Sequence, residues 1–500
     1  MFFPEKEEFL ELSQEKNLIP VYKEIVADME TPVSIFKRFK DEQYSYLLES
    51  VEQGQKIGRY SFIGVDYHGI IEYQNGKLIR KDKAGKEIKR VETEQPLAEL
   101  ADVLAEYQAY EVDDLPIFYG GAVGYLGYDM ISYFEPVPKA EDDDLELPDM
   151  LFILSDTILV FDHLHHSIKV VSNARIGDNP KADYQQAVDK IDETIKKLSK
   201  YPEAEVKVEV DRSLESELKP GVDFESNLSK EEFVAMVEET KEHIYQGDIF
   251  QAVLSQRLKT ETEAEGFSIY RKLRSLNPSP YMYYLNFADF EIVGSSPELL
   301  VRVEDGVVEN RPIAGTRKRG TDEAEDKELA EDMLNDEKER AEHIMLVDLG
   351  RNDVGRVSEY GTVEVNELMN VEYYSHVMHL VSNVKGELKE DKDIYQALKS
   401  CFPAGTVSGA PKIKAMEIVN RLEPTKRGPY AGSIGYFGYS GNLDSCITIR
   451  TILLKDKTAY VQAGAGIVHD SKPEFEYEET LNKARALLKA VKLAGDGEQK

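Results

Sequence analysis

Two pairs of glutamates sit three residues apart in stretches patterned as helix: Glu339 with Glu342, and Glu476 with Glu479 after Pro473. Residues at that spacing share a helix face, so two pairs converging on one cleft would offer carboxylate oxygen alone. Such a donor set suits Mg²⁺, a hard cation that takes one or two carboxylates, keeps water and draws further ligands from an anionic substrate. In a chain with 94 acidic residues the same pattern also fits solvated helix faces. Just before the second pair, Gly464, Ala465 and Gly466 read as a small-residue turn whose free backbone amides could face a carboxylate. No GKS or GKT follows it, so a phosphate loop is excluded.

These groups need elements to hold them. Ser229 followed by Glu232 has the spacing of a capping box, and Phe233, Val237 and Ile244 continue at helical spacing to Gly247. A fresh domain therefore starts near Ser229. The charged stretch before it, residues 203–228, contains Pro220 and Gly221 and reads as a linker. It separates an amino-terminal half, 1–202, from a second half, 229–495. YSFIGV, ILVFDHLHHSIKVVSN, YMYYLNF and ITIRTILL read as strands, while Asp326 to Leu346 and Glu476 to Leu493 read as helices. Without regular strand–helix alternation, the expected class is α+β, with large mixed, mostly antiparallel sheets and flanking helices. YGGAVGYLGY (Tyr119 to Tyr128) echoes YAGSIGYFGY (Tyr430 to Tyr439) at six of ten positions, one copy in each half, which points to a duplicated two-half sandwich.

Composition bounds the remaining classes. The formal charge of −33 repels phosphate backbones and anionic lipid heads, and no local basic patch offsets it, so neither nucleic acid nor membrane is an expected partner. No apolar run approaches the ~20 residues of a bilayer crossing, and the start lacks the basic-then-apolar order of a signal peptide. The expectation is a soluble, cytoplasmic chain. Cys401 and Cys446 fit no spaced metal or redox motif. His163, His165 and His166 read as a hairpin surface. Tryptophan is absent from all 500 residues, beside 28 Tyr and 19 Phe.

Longer motifs carry a family resemblance. RPIAGTRKRG at Arg311, DEKERAEHIMLVDLGRND at Asp336, CFPAGTVSGAPKIKAMEIV at Cys401 and LDSCITIRT at Leu443 resemble the chorismate-utilising enzymes, and within them the large subunit of anthranilate synthase. GDIFQAVLSQR at Gly247 and GSSPELL at Gly294 extend the likeness over most of Ser229 to Leu488; YLLESVEQGQKIGRYSFIG at Tyr46 carries it more weakly into the amino-terminal half. The resemblance implies a lyase that starts tryptophan biosynthesis, turning chorismate and ammonia into anthranilate and pyruvate. By position, Glu342 and Glu479 bind Mg²⁺ directly, with Glu339 and Glu476 acting through water. Tyr430, Arg450 and Gly464 to Gly466 take the enolpyruvyl carboxylate. Thr406 and Lys483 complete the pocket, together with Gly315 and Thr316. Glu298 is the acid for the departing hydroxyl, and His379 serves the later elimination as base or orienting donor. His376 matches no catalytic position.

Relatives differ in the nucleophile. Those making aminodeoxychorismate typically have lysine where this chain has Ala314, and water-adding relatives have a lysine base where it has Gln251. Without either amine the pocket suits external ammonia. No GxCxGxQ-like segment is present, so ammonia is expected from a separate glutamine amidotransferase subunit or from solution. Aminodeoxychorismate synthase, or a tryptophan-sensing module without catalysis, remain alternatives. The resemblance further implies tryptophan as inhibitor, bound between Glu49 and Ser50 on one segment and Pro280, Tyr281 and Met282 on another.

Overall fold

A computed structural model describes residues 1–50, 58–140, 142–200, 223–374 and 377–498. Most of the expected linker lies outside the described residues, as does His376; Glu225–Ser226, at the linker's end, forms a short strand against Leu258 and Lys259. The capping box forms as expected: Ser229 Oγ accepts the Glu232 N–H, the Glu232 carboxylate accepts the Ser229 N–H, and the helix Lys230–Gln246 ends at left-handed Gly247.

Among the described residues the strands, 22 in one hydrogen-bonded network, fold back into two layers with antiparallel ladders. Two long strands, Tyr60–Gln74 and Met150–Asp162, cross between the layers: one end of Met150–Asp162 pairs with Gly121–Leu126 and the other with Ser167–Arg175. In the second half the crossing is made by a break instead. Phe290–Ser296 pairs with Thr451–Lys455 in one layer, and Leu299–Glu304 pairs with Leu443–Ile447 in the other, so Glu298 and Arg450 both fall at the corner.

Alternating side chains explain the layering. Inner faces meet in a core where Tyr125 packs on Phe287 and Phe290 at ring-centroid distances of 5.6 and 6.1 Å. The outer face of one layer is covered by the helices Pro180–Leu198, Gly266–Leu276 and Pro473–Glu498, and that of the other by Pro96–Ala105, Glu337–Gly355 and Ile394–Cys401. Each Leu, Ile or Phe buried there contributes about 1.5–3 kcal/mol. Among the described residues no helix is long and apolar enough to cross a membrane.

The echoed segments are neighbours. Gly121–Leu126 pairs with Ser433–Gly438, and Gly124 faces Gly435, its own counterpart, so a local two-fold axis passes through that pair. A Cβ on either would lie within 2.1 Å of a carbonyl oxygen on the next strand, which is why glycine recurs there. The axis continues through the other layer at Leu47 and Tyr284. Beside it Tyr46 lies across Gly64 to reach Ser155 Oγ at 2.8 Å, and Tyr283 lies across Gly294 to reach Thr451 Oγ1 at 2.6 Å. The helices that follow the last hairpin of each half also correspond: PKADYQQAVDK from Pro180 and PEFEYEETLNK from Pro473 both open on proline.

One expectation needs correction, and the expected hairpin at His163, His165 and His166 forms. The run Asp326 to Leu346 is two helices, Glu323–Asn335 and Glu337–Gly355, because Asp336 turns extended and its carboxylate accepts the Lys338 and Glu339 N–H groups as an N-cap. The run ILVFDHLHHSIKVVSN is a hairpin, with its turn fixed by Asp162, which accepts the Leu164 and His165 N–H groups and an Arg59 N–H. His163 bonds Ser61 Oγ at 2.8 Å and His165 bonds Asp162 at 3.1 Å, as turn histidines.

Candidate active site

The floor of the cleft is the ladder between Gln251–Glu261 and Thr458–Ile467. Gly464, Ala465 and Gly466 are strand residues paired with Ser255, Leu254 and Val253, not the turn expected from their composition. The neighbouring strand Thr451–Lys455 pairs only as far as Val461, so among the described residues the amides beyond Val461 have no ladder partner on that edge. The free donors expected of a turn come instead from this open edge. Crowding demands glycine at Gly464, where a Cβ would sit 2.7 Å from the Tyr430 hydroxyl and 2.8 Å from Leu254 O; at Gly466 it would sit 2.7 Å from Gln251 Nε2, the movable end of a flexible side chain.

The edge opens because the chain turns away at Arg450, a non-glycine residue at φ +52°. Such a backbone costs about 1–3 kcal/mol and persists only where its surroundings hold it. Here the Ser295 N–H donates to Arg450 O at 3.1 Å, and Thr451 Oγ1 donates to Ile449 O at 2.9 Å. Burial lowers the guanidinium pKa, Tyr430 raises it, and among the described residues no carboxylate pairs with it. A half-buried arginine with no carboxylate partner among the described residues, beside free amides, is a site for a carboxylate.

Glu298 lies at the same corner, 7% exposed. Burial pushes its carboxyl up to about 8, against the lowering effects of Thr406 and the Ile313 N–H. The Thr406 hydroxyl stands beside it without reaching full hydrogen-bond geometry to any described partner. A carboxyl protonated at neutral pH can donate a proton.

His379, on the strand Val377–Glu387, is perturbed the opposite way. Burial lowers its pKa, Gly315 raises it, and the nearby Arg450 charge lowers it further. Its Nδ1 lies 2.9 Å from Gly315 O and 3.0 Å from Thr316 Oγ1. A carbonyl only accepts, so Nδ1 carries the proton and Nε2 keeps its lone pair. The geometry describes a neutral base.

The four carboxylates occupy the two helices expected of them, each with its own partner. Arg317 holds Glu339 at 2.9 Å, Gln251 Nε2 donates to Glu342 at 3.1 Å, and Lys483 pairs with Glu479 at 2.7 Å while donating to Gly464 O at 2.9 Å. Glu476 is raised by burial and by Glu479, and Lys338 from the other helix acts on it, so the helices face each other over the cleft. Among the described residues no three such side chains close into a cage. Open carboxylate pairs fit a hard cation that completes its shell with water and substrate oxygen.

One hub was not foreseen. Arg427 is buried, clamps Glu423 through two 2.7 Å bonds, donates to Val407 O and Val253 O, and stacks on Tyr128 and Tyr430 at 4.5 and 5.6 Å. It thus ties the Thr406 turn, the cleft floor and both echoed tyrosines. A Glu/Arg pair four apart is too common in sequence to signal this.

Away from the cleft, a cavity of about 440 Å³ between the layers brings together Glu49, Ser50, Pro280, Tyr281 and Met282. Ser50 Oγ is buried with no partner among the described residues. The Glu49 carboxylate is already held by the Tyr270 hydroxyl and by Arg274 at 3.1 Å. Tyr281 donates to Asp444 at 2.9 Å, and Arg302 pairs with the same carboxylate.

With this geometry established, the similarities to known proteins fall into place. The chorismate binding enzyme family matches residues 43–489. Anthranilate synthase component 1 of Acetivibrio thermocellus is 51% identical over 498 residues, covering 99% of this chain and 100% of that one. The chain belongs to the anthranilate synthase component 1 family. The corresponding protein of Aquifex aeolicus is 47% identical, over 99% of this chain and 98% of its own. A crystal structure of anthranilate synthase component I from Streptococcus pneumoniae has a TM-score of 0.77 at 40% identity, covering 93% and 99% of the two chains. The α+β fold is that of this family, and the chain is an enzyme of the chorismate-utilising lyase type.

Proposed function

We propose that the cleft converts chorismate and ammonia to anthranilate, pyruvate and water. What carries this reading is the opposed pair at one corner: a buried carboxyl that keeps its proton, Glu298, and an imidazole that keeps its lone pair, His379. Arg450, Tyr430 and the open-edge amides take the enolpyruvyl carboxylate. Ammonia attacks the ring with its own lone pair, so Gln251, an amide without basicity, serves where a base would otherwise be needed. Glu298 gives its proton to the departing hydroxyl, which leaves as water. His379 Nε2 then removes the proton from the carbon that gained nitrogen; the ether C–O bond breaks, the ring becomes aromatic, and the enolpyruvyl group leaves to become pyruvate.

Glu342 and Glu479, with Glu339 and Glu476 behind them, would hold Mg²⁺. Bound there, it supplies positive charge for the ring carboxylate. Ammonia comes from a separate glutamine amidotransferase subunit or from ammonium in solution. Tryptophan is the proposed inhibitor, in the cavity where the Ser50 hydroxyl has no partner among the described residues. The His379→Met variant tests the division of labour: given chorismate and ammonium, it should release aminodeoxyisochorismate, the unaromatised amine, instead of anthranilate. Normal anthranilate output from that variant would move the base elsewhere, and aminodeoxychorismate from the parent would mark the wrong branch of the family.

A further inference from the structure

Three residues in register join the inter-layer cavity to the cleft. Tyr283 pairs with Gly294, and Gly294 pairs with Thr451, across three adjacent strands. Because Gly294 has no side chain, the Tyr283 ring crosses over it; a Cβ there would lie 2.2 Å from that ring. The ring's hydroxyl meets Thr451 Oγ1 at 2.6 Å, and both residues are buried. Tyr283 also lines the cavity that holds Ser50 and Met282. Thr451 follows Arg450 directly, and its hydroxyl is the one that donates to Ile449 O across the left-handed Arg450 backbone. One side chain thus touches the cavity at one end and the support of the substrate-binding arginine at the other.

We infer that Tyr283 is a positioning residue for Arg450, and that a ligand in the cavity alters chorismate binding by moving it. The second clause rests on the tryptophan reading of the cavity given above. The two-fold axis supplies an internal control. Tyr46 makes the same crossing over Gly64 to Ser155 in the amino-terminal half, yet neither Ser155 nor Tyr46 adjoins a candidate catalytic residue. If such bridges only hold strands together, Tyr46→Phe and Tyr283→Phe should behave alike.

The test compares Tyr283→Phe, Thr451→Val and Tyr46→Phe with the parent in the full chain, using ammonium and Mg²⁺. The readouts are kcat, KM for chorismate, tryptophan binding by calorimetry, and the shift in chorismate KM at saturating tryptophan. Losing one hydrogen bond is about a fivefold effect, so Tyr283→Phe should raise KM by about that factor with little change in kcat, and Thr451→Val should do the same. Tyr46→Phe should leave KM unchanged. Tyr283→Phe should still bind tryptophan while its KM shift shrinks at least about fivefold, as for a lost coupling. Parental KM values and parental tryptophan shifts in both Tyr283→Phe and Thr451→Val would overturn the inference. A parent that binds no tryptophan defeats the cavity reading and the coupling with it, while the KM comparison still decides whether Tyr283 positions Arg450.

Discussion

The two halves share a frame and differ in what fills it. Each ends in a hairpin followed by a helix that opens on proline, and in each helix a lysine lies ten residues on, at Lys190 and Lys483. In the second half, Lys483 grips the carbonyl of Gly464 and the strand end is Gly464, Ala465, Gly466. In the first, Lys190 grips Asp156 at 2.7 Å and the strand end is Asn173, Ala174, Arg175. At the layer crossing the second half carries Glu298, with its proton retained to about 8. The strand register places His68 at the matching point, bonded to the Tyr107 hydroxyl at 2.8 Å and pushed down to about 3 by burial. The frame supplies a corner and an open strand edge. The proposed chemistry belongs where glycines leave the edge bare and the corner carries an acid; side chains at the same places fill the other corner with packing.

Exchanging residues between the corners should break this contrast. The largest effect is expected from Glu298→Gln, with kcat lower by about 10²–10⁴, the usual worth of a general acid. His68→Gln should keep kcat within about twofold once the folded fraction is matched, since its site lacks an acid to lose. Steady-state anthranilate assays on both check this. Next is Gly466→Arg, which copies Arg175 onto the cleft floor and drives a side chain into Gln251. A displacement of that order should cost about 10² in kcat/KM, whereas Arg175→Gly should leave kcat/KM near the parent value.

Lys483→Met and Lys190→Met sharpen the comparison at a smaller scale. The first should cost about tenfold in kcat/KM, equivalent to losing one charged hydrogen bond. The second should spare kcat/KM and lower the urea midpoint, because the buried Asp156 loses its nearer cation.

The smallest effects are in stability against pH. Glu298 has a raised folded pKa, so its contribution is fully present below the unfolded carboxyl value and is lost as pH rises through about 8. Glu298→Gln should therefore gain in melting temperature over the parent between pH 5 and pH 9. His68 has a depressed folded pKa, so its contribution is present above the unfolded histidine value and is lost as pH falls toward about 3. His68→Gln should gain over the parent on the acid side instead.

Much of this was legible in the sequence. The Gly/Tyr echo foretold the two-fold axis, and the capping box at Ser229 foretold the start of the helix Lys230–Gln246, because both signals are local and chemically specific. Of the candidate residues in the long motifs, Glu298 and Arg450 fall at the corner, while Glu339, Glu342, Glu476 and Glu479 lie on two helices. What stayed hidden depends on partners distant in sequence. Gly464 to Gly466 read as a turn because the neighbouring strand that stops short, and so frees their edge, is set by the backbone at Arg450. The break at Asp336 was missed because its flanks are both strongly helical, and only the carboxylate's choice to cap decides it. Arg427 gave no signal, since its value lies in the two tyrosines it joins.

The central claim is tested most directly by giving the purified chain chorismate, ammonium chloride and Mg²⁺ and following product by anthranilate fluorescence with pyruvate measured in parallel. The account predicts anthranilate and pyruvate in equal amounts and no other aromatic product. Aminodeoxychorismate, isochorismate, or tryptophan binding with no turnover under those conditions would contradict it.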